Sequence, residues 1–170
     1  MKVTISSLLI VAALVGCASG APTSTAATRV DNVAALSGAR VELAEEGGIA
    51  AFSTTYTARH DDRAFAFSRR HICSANCPAP LDSASGTLSV AASDSLFNIV
   101  VNAQPGTLKD DYGVTPNAAD MVTYTLRVVL DNGTKTVRAD DGTMPSAMRK
   151  IVDAIHGVVA AARKQVTVVN

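Results

Sequence analysis

The densest cluster of reactive side chains in this 170-residue chain is Arg69-Arg70-His71-Ile72-Cys73-Ser74-Ala75-Asn76-Cys77-Pro78. Thiolates and imidazoles are zinc ligands, and a ligand pair usually comes as two cysteines separated by two to four residues. His71, Cys73 and Cys77, joined by His60, would form such a set, although a second ligand pair at a familiar spacing is missing. A redox-active pair needs Cys-x-x-Cys beside a βαβ pattern. Here the spacing is longer and no such pattern is present. The remaining chemistry is a disulfide closing a small loop, which requires a Cα separation below about 7 Å.

The compartment decides between these readings, and the first twenty residues bear on it. Lys2 precedes an apolar run, Leu8 to Val15, that is too short for a membrane span of about 20 residues and fits the core of a secretory signal. The run ends in Leu14-Val15-Gly16-Cys17, which resembles the lipobox of bacterial lipoproteins. That resemblance implies that residues 1–16 are a signal peptide, that the Cys17 thiol is diacylglycerated, and that the new amino group is acylated after cleavage. More than one acyl chain makes anchoring stable. Ala18 stands where an Asp often marks retention in the inner membrane. The expected location is therefore the cell envelope, at the outer membrane facing the periplasm if the cell is Gram-negative. That space is oxidising, so a Cys73–Cys77 disulfide is the expectation. The His71/Cys73/Cys77 metal cluster remains its rival.

Three carboxylate pairs, Asp61-Asp62, Asp110-Asp111 and Asp140-Asp141, could run acid–base chemistry or bind a cation. Neighbours in extended chain point to opposite faces, however. All three pairs fall at expected turns, where Asp bonds locally to backbone. His156 lies beside an apolar helical stripe and reads as a packed or half-exposed residue. No G-x-S-x-G elbow or phosphate-binding loop is present. The chain is read as no enzyme, with no cofactor. Its formal net charge is zero, which argues against nucleic acid as a partner, because phosphate binding needs a basic surplus.

The elements that would position these residues follow from periodicity. Residues 17–38 are rich in Ala, Ser, Thr and Gly and read as a lipidated flexible tether. A single domain is expected over 39–166. Val41, Leu43, Ile49 and Ala51 alternate around Glu45-Glu46-Gly47-Gly48, which reads as two strands joined by a Gly-Gly turn. The second strand runs to Thr57, and a third spans Ala64 to Arg70. Cys73 to Ser85 reads as a loop with two prolines. Ser89 to Ala103 has helical spacing, with Ser89 or Ser93 as cap and Pro105-Gly106 beyond its end. Val122 to Ala139 is a hairpin whose Asn132-Gly133 predicts a type I′ turn. In its return strand, Lys135 and Arg138 imply an exposed face or a charged edge. The last helix has Thr143 as the expected N-cap and Pro145 in its first turn. Met148, Ile151, Val152, Ile155, Val158, Val159 and Ala162 form its apolar stripe. Arg149 and Asp153 are spaced as an i,i+4 pair. Gly157 is expected to permit close packing on the sheet. The core would be built from small residues, since the chain is 48% hydrophobic but only 4% aromatic. The order implies an α+β domain: an antiparallel sheet of about four to five strands with two helices packed on one face.

Several stretches resemble emfourin, the bacterial inhibitor of the protease protealysin. Gly47-Gly48-Ile49-Ala50 is similar to that family's Gly-Gly-Phe-Ala-Gly, with Ile49 where the family has Phe and Ala51 where it has Gly. Tyr124-Thr125-Leu126-Arg127-Val128, the return strand Lys135-Thr136-Val137-Arg138, and the Asp141-to-Pro145 entry into an amphipathic helix match in kind. The similarity covers roughly Arg40 to Ala162, and the segment Thr57 to Ser89 has no counterpart in it. Lipidated proteins with such an inserted Cys loop also resemble an uncharacterised domain family of bacterial lipoproteins. The emfourin resemblance implies a small α+β inhibitor of thermolysin-like metalloproteases. Its binding residues would be Gly47, Gly48, Ile49 and Ala50. Two function classes therefore stand beside the metal cluster. One is a lipid-anchored binding protein that inhibits a secreted or periplasmic metalloprotease. The other is a structural envelope lipoprotein holding a protein or cell-wall partner through its sheet face.

Overall fold

The structure, a computed structural model, describes residues 36–49, 51–72 and 80–166. Cys17, Ala50, Cys73, Cys77 and the expected signal peptide lie outside these residues. Strands β1 (Arg40–Gly47), β2 (Phe52–Arg59), β3 (Ala64–His71) and β4 (Asp82–Thr87) come first. Helix α1 (Val90–Asn102) and a single 3₁₀ turn (Pro105–Thr107) follow, then β5 (Val122–Leu130), β6 (Gly133–Asp140) and helix α2 (Ser146–Val166). The strands form one antiparallel sheet in the order β4-β3-β2-β1-β5-β6. The fold is α+β, with more strands than the four to five expected.

The extra strand is β4, which lies partly in the stretch read as a loop. Its sequence, Asp-Ser-Ala-Ser-Gly-Thr, lacks the β-branched and aromatic residues that mark strands, apart from Thr87. Pairing with β3 makes it a strand. Gly86 packs closely there: a Cβ at this position would come within 3.1 Å of the Phe65 ring, which would have to shift by a few tenths of an ångström.

Register explains the core. Val41, Leu43, Ala58, Phe65, Phe67, Leu126, Val128, Val137 and Ala139 occupy paired positions that share one face, and all are buried. Leu96, Phe97 and Val100 of α1 and Met148, Ile151, Val152 and Ile155 of α2 pack into the same core. Each fully buried Leu, Ile or Phe contributes roughly 1.5–3 kcal/mol relative to exposure. The opposite face carries Thr55, Thr57, Ala66 and Thr136, all exposed. There Glu42 pairs with Arg40 at 3.2 Å and with Arg127 at 3.1 Å.

Leu36 is buried in the core although it falls inside the stretch read as tether. Gly38 donates its N–H to the Asp61 carboxylate at 2.9 Å, fastening that segment to the β2–β3 turn. Every described core contact comes from Leu36 onward, so a chain starting at residue 21 retains all of them.

Several local expectations change. Ser89 caps α1, its Oγ accepting from the Ala92 N–H at 3.2 Å. Thr143 does not cap α2; its Oγ accepts the Asp140 N–H instead, and the helix starts at Ser146. Arg149 donates to the Asp141 carbonyl at 2.8 Å, and no Arg149–Asp153 ion pair forms among the described residues. Gly157 faces open space, with nothing within 4 Å of a Cβ placed there, so it is not a packing site. In the β5–β6 hairpin, positive φ falls on Gly133 alone (133°), whereas a type I′ turn needs it at both central residues. Among the described residues, no helix is long and apolar enough to cross a membrane.

Candidate functional site

The connection between β1 and β2 is fixed by backbone geometry that excludes most side chains. β1 continues through Glu45, Glu46 and Gly47, so of the expected Gly-Gly turn Gly47 ends the strand and Gly48 opens the turn. Gly47 has φ 115°, and a Cβ there would stand 2.6 Å from the Met121 carbonyl oxygen. The Gly48 N–H donates to that same oxygen at 3.3 Å, and the Ala51 N–H donates to the Gly48 carbonyl at 3.0 Å. The turn is thus bonded to the residue preceding β5 as well as to itself. Ile49 at its tip is 85% exposed.

Behind this turn, on the helix side of the sheet, lies a groove of about 580 Å³ lined by Glu45, Gly47, Gly48, Ile49, Phe52, Thr54, Tyr56, Arg69 and Val122, among others. Phe52 stacks on His71 with ring centroids 4.9 Å apart, and the Arg69 guanidinium lies 3.9 Å over the Phe52 ring. The Ile72 N–H donates to the Ala51 carbonyl at 2.7 Å, holding β3 against the turn.

The inner wall of the groove is a polar cluster between sheet and helix. Glu45, on β1, accepts from His156 Nε2 of α2 at 2.5 Å and from the Tyr56 hydroxyl at 3.4 Å. The Tyr56 ring lies 5.2 Å from the His156 ring and 5.2 Å from Phe67. The hydrogen bond to Glu45 raises the His156 pKa above its ordinary value, against the opposing effect of burial, and the Glu45 and Asp153 charges add to the rise. Burial and then the Glu45 charge push the Tyr56 phenol upward.

A second polar cluster supports the far side of the turn. Asp141 accepts from the Val122 N–H at 3.1 Å and the Tyr124 hydroxyl at 2.9 Å. Burial, followed by this bond, raises the Tyr124 pKa. Asp140 is buried and accepts from the Thr115 backbone and hydroxyl, the Gly142 N–H, and the Thr143 backbone and hydroxyl. These bonds, led by the Thr115 N–H, hold its carboxyl well below the usual range, against desolvation. Asp61 and Asp62 accept backbone N–H groups of Gly38 and Ala64, and Asp111 accepts that of Gly113. Asp110 pairs with Lys135.

Of the predicted site residues, Gly47, Gly48 and Ile49 come together at the groove mouth. His71 is stacked on Phe52 at one end of β2. His60 sits at the other end, 3.7 Å from Asp94 and edge-on to Phe97. The length of β2 separates them by roughly 25 Å, so His60 does not join a site with His71. Among the described residues, no three His, Cys, Asp or Glu side chains are grouped to hold a metal ion.

Sequence reasoning missed Phe52, Arg69 and the Glu45–His156 pair. The Phe52/Arg69/His71 arrangement follows from β2–β3 register, and Glu45 and His156 are brought together only by the placement of α2 on the sheet. Compared with known proteins, the chain matches no family model and no curated protein.

Proposed function

We propose that this chain is a lipid-anchored binding protein of the cell envelope, and that the β1–β2 turn and the groove behind it take a protein partner. The observation that carries this reading is Ile49, a large aliphatic side chain 85% exposed on a turn fixed by Gly47 and Gly48. Covering such a side chain contributes roughly 1.5–3 kcal/mol. A turn already held by backbone hydrogen bonds loses little further entropy on binding. Phe52 and Arg69 beside it are residue types enriched at protein interfaces, and Arg also where those interfaces concentrate their energy.

The emfourin-like pattern supports a thermolysin-like metalloprotease as that partner, with this domain acting as its inhibitor and performing no chemistry of its own. The test is titration of residues 21–170 into a panel of thermolysin-like proteases. Inhibition complete at one equivalent is the expected result. Full protease activity across the panel at excess inhibitor removes the inhibitor reading.

The Ser- and Thr-bearing face of the sheet, where Thr55, Thr57 and Thr136 are exposed among the described residues, favours a second reading, a structural lipoprotein that holds an envelope partner there. Replacing Thr55 and Thr57 with Lys would abolish retention of such a partner from envelope extract, while Ile49→Asp would not.

A further inference from the structure

The two edges of the sheet are treated differently by the fold. Along β6, the Arg138 N–H donates to the Asp110 carbonyl at 2.8 Å and the Tyr112 N–H donates to the Arg138 carbonyl at 2.9 Å. Lys135 adds an ion pair to Asp110. That edge is bridged at Arg138. Among the described residues, no backbone group bonds to the outer side of β4.

Which β4 groups point outward follows from antiparallel alternation. The Leu88 N–H donates to the Arg63 carbonyl at 2.8 Å, in register with the β3–β4 ladder. Gly86, Ala84 and Asp82 therefore direct their backbone groups to β3, and those of Ser83, Ser85 and Thr87 face away. These three residues are exposed. Natural edge strands are protected by lysines, prolines, bulges or inward charges. Inward charge and irregularity are confined to the start of the strand, where Asp82 stands on the helix side and the Leu81 N–H bonds to the Arg69 carbonyl at 2.8 Å; Ser83-Ala84-Ser85-Gly86-Thr87 has no charged residue and no proline.

We propose that this edge is a self-association surface, at which two copies of the chain pair β4 to β4, antiparallel, about a two-fold axis at Ser85. The strand is self-complementary in that arrangement. Ser85 meets Ser85 of the other copy, and Ser83 meets Thr87, each as a hydrogen-bonded pair. Ala84 faces Gly86, so small side chains meet at the centre of the helix side. Asp82 stands opposite Leu88, so no like charges meet, and its carboxylate is already paired with Arg163. Leu81 and Val90, 51% and 58% exposed, flank the two ends of the strand. The two-fold brings each Leu81 to the end that carries Val90 of the other copy. The result is a continuous sheet through both molecules with closed symmetry. This inference does not rest on the groove as a partner site.

Sedimentation velocity of residues 21–170, from micromolar to millimolar concentration, should show a reversible monomer–dimer equilibrium. Ser85→Pro removes an outward N–H that the β3 ladder does not use, and proline is tolerated on edge strands. Ser85→Lys places two ammonium groups together at the axis without altering the backbone. Each variant should weaken dimerisation by about tenfold or more, with circular dichroism and melting temperature unchanged for Ser85→Lys. In Ser85→Cys, mild oxidation should link residue 85 to its own copy, since bonded pairs hold Cα atoms about 5.5 Å apart. A monomer at every concentration overturns the proposal. So does a dimer that survives both Ser85→Pro and Ser85→Lys, because it uses another surface.

Discussion

His156 Nε2 lies 2.5 Å from Glu45 Oε1, joining residues 111 positions apart across the helix–sheet interface. The folded state raises the His156 pKa, so it binds a proton that the unfolded chain releases sooner. Stability from this pair is fully present below the unfolded value of about 6.5 and is lost as pH rises through the folded value. The melting temperature of the wild type should fall over that window. His156→Gln should remove that part of the slope. A histidine titration by NMR checks the cause directly: a His156 midpoint below the ordinary value would contradict it.

Asp140 gives the opposite sign. Its folded pKa lies below the unfolded one, so its contribution is present above the unfolded value of about 3.9 and is lost as pH falls through the folded value. Acid unfolding should therefore be steeper in the wild type than in Asp140→Asn, which cannot carry the charge. Equal acid slopes in the two proteins would exclude this assignment. Asp140→Asn should also be less stable at neutral pH, because its amide presents one acceptor to a site that donates from Thr115, Gly142 and Thr143.

Gly157 and Gly47 make a contrasting pair. Gly157 is helical, and nothing lies within 4 Å of an added Cβ. Gly157→Ala should stabilise the domain by about 0.5–1 kcal/mol, the ordinary helix difference. Gly47→Ala meets both a positive φ and the Met121 carbonyl. It should destabilise by about 1–3 kcal/mol or more. Urea unfolding of both variants measures each sign independently. Stabilisation by Gly47→Ala would mean that the turn is not built as described.

The parts of this fold legible in the sequence are those whose signal is local. The α2 stripe from Met148 to Val159, the Ser89 cap and the alternation of Val122 to Val128 are set by residues within a turn or a strand of each other. β4 was not legible, because Asp82 to Thr87 has almost no strand propensity and is held by β3. Thr143 misled for a related reason. It is a capping residue type, but the helix starts at Ser146, beyond its reach as N-cap, and its hydroxyl bonds to Asp140 instead. At the candidate site, Gly47-Gly48 marked the turn, since only glycine accepts that backbone. Phe52, Arg69 and His71 could not be grouped before the β2–β3 register was known. The Glu45–His156 contact needed the crossing of α2 over β1, which no local pattern encodes.

Ile49 separates binding from folding. At 85% exposure it leaves little buried area to lose, so Ile49→Asp should change stability by no more than about 0.5 kcal/mol. Leu43, on the same strand–turn unit but 1% exposed, should cost about 2–5 kcal/mol on replacement by Ala. If the turn is the partner surface, Ile49→Asp should abolish stoichiometric protease inhibition while its melting curve overlays the wild type. Phe52→Ala, which removes the ring that His71 and Arg69 both contact, should weaken inhibition in the same direction. Calorimetric titration against an inhibited protease measures both. An Ile49→Asp protein that inhibits with wild-type affinity would move the binding surface away from this turn, because a buried carboxylate in place of a packed aliphatic side chain is too costly to escape detection.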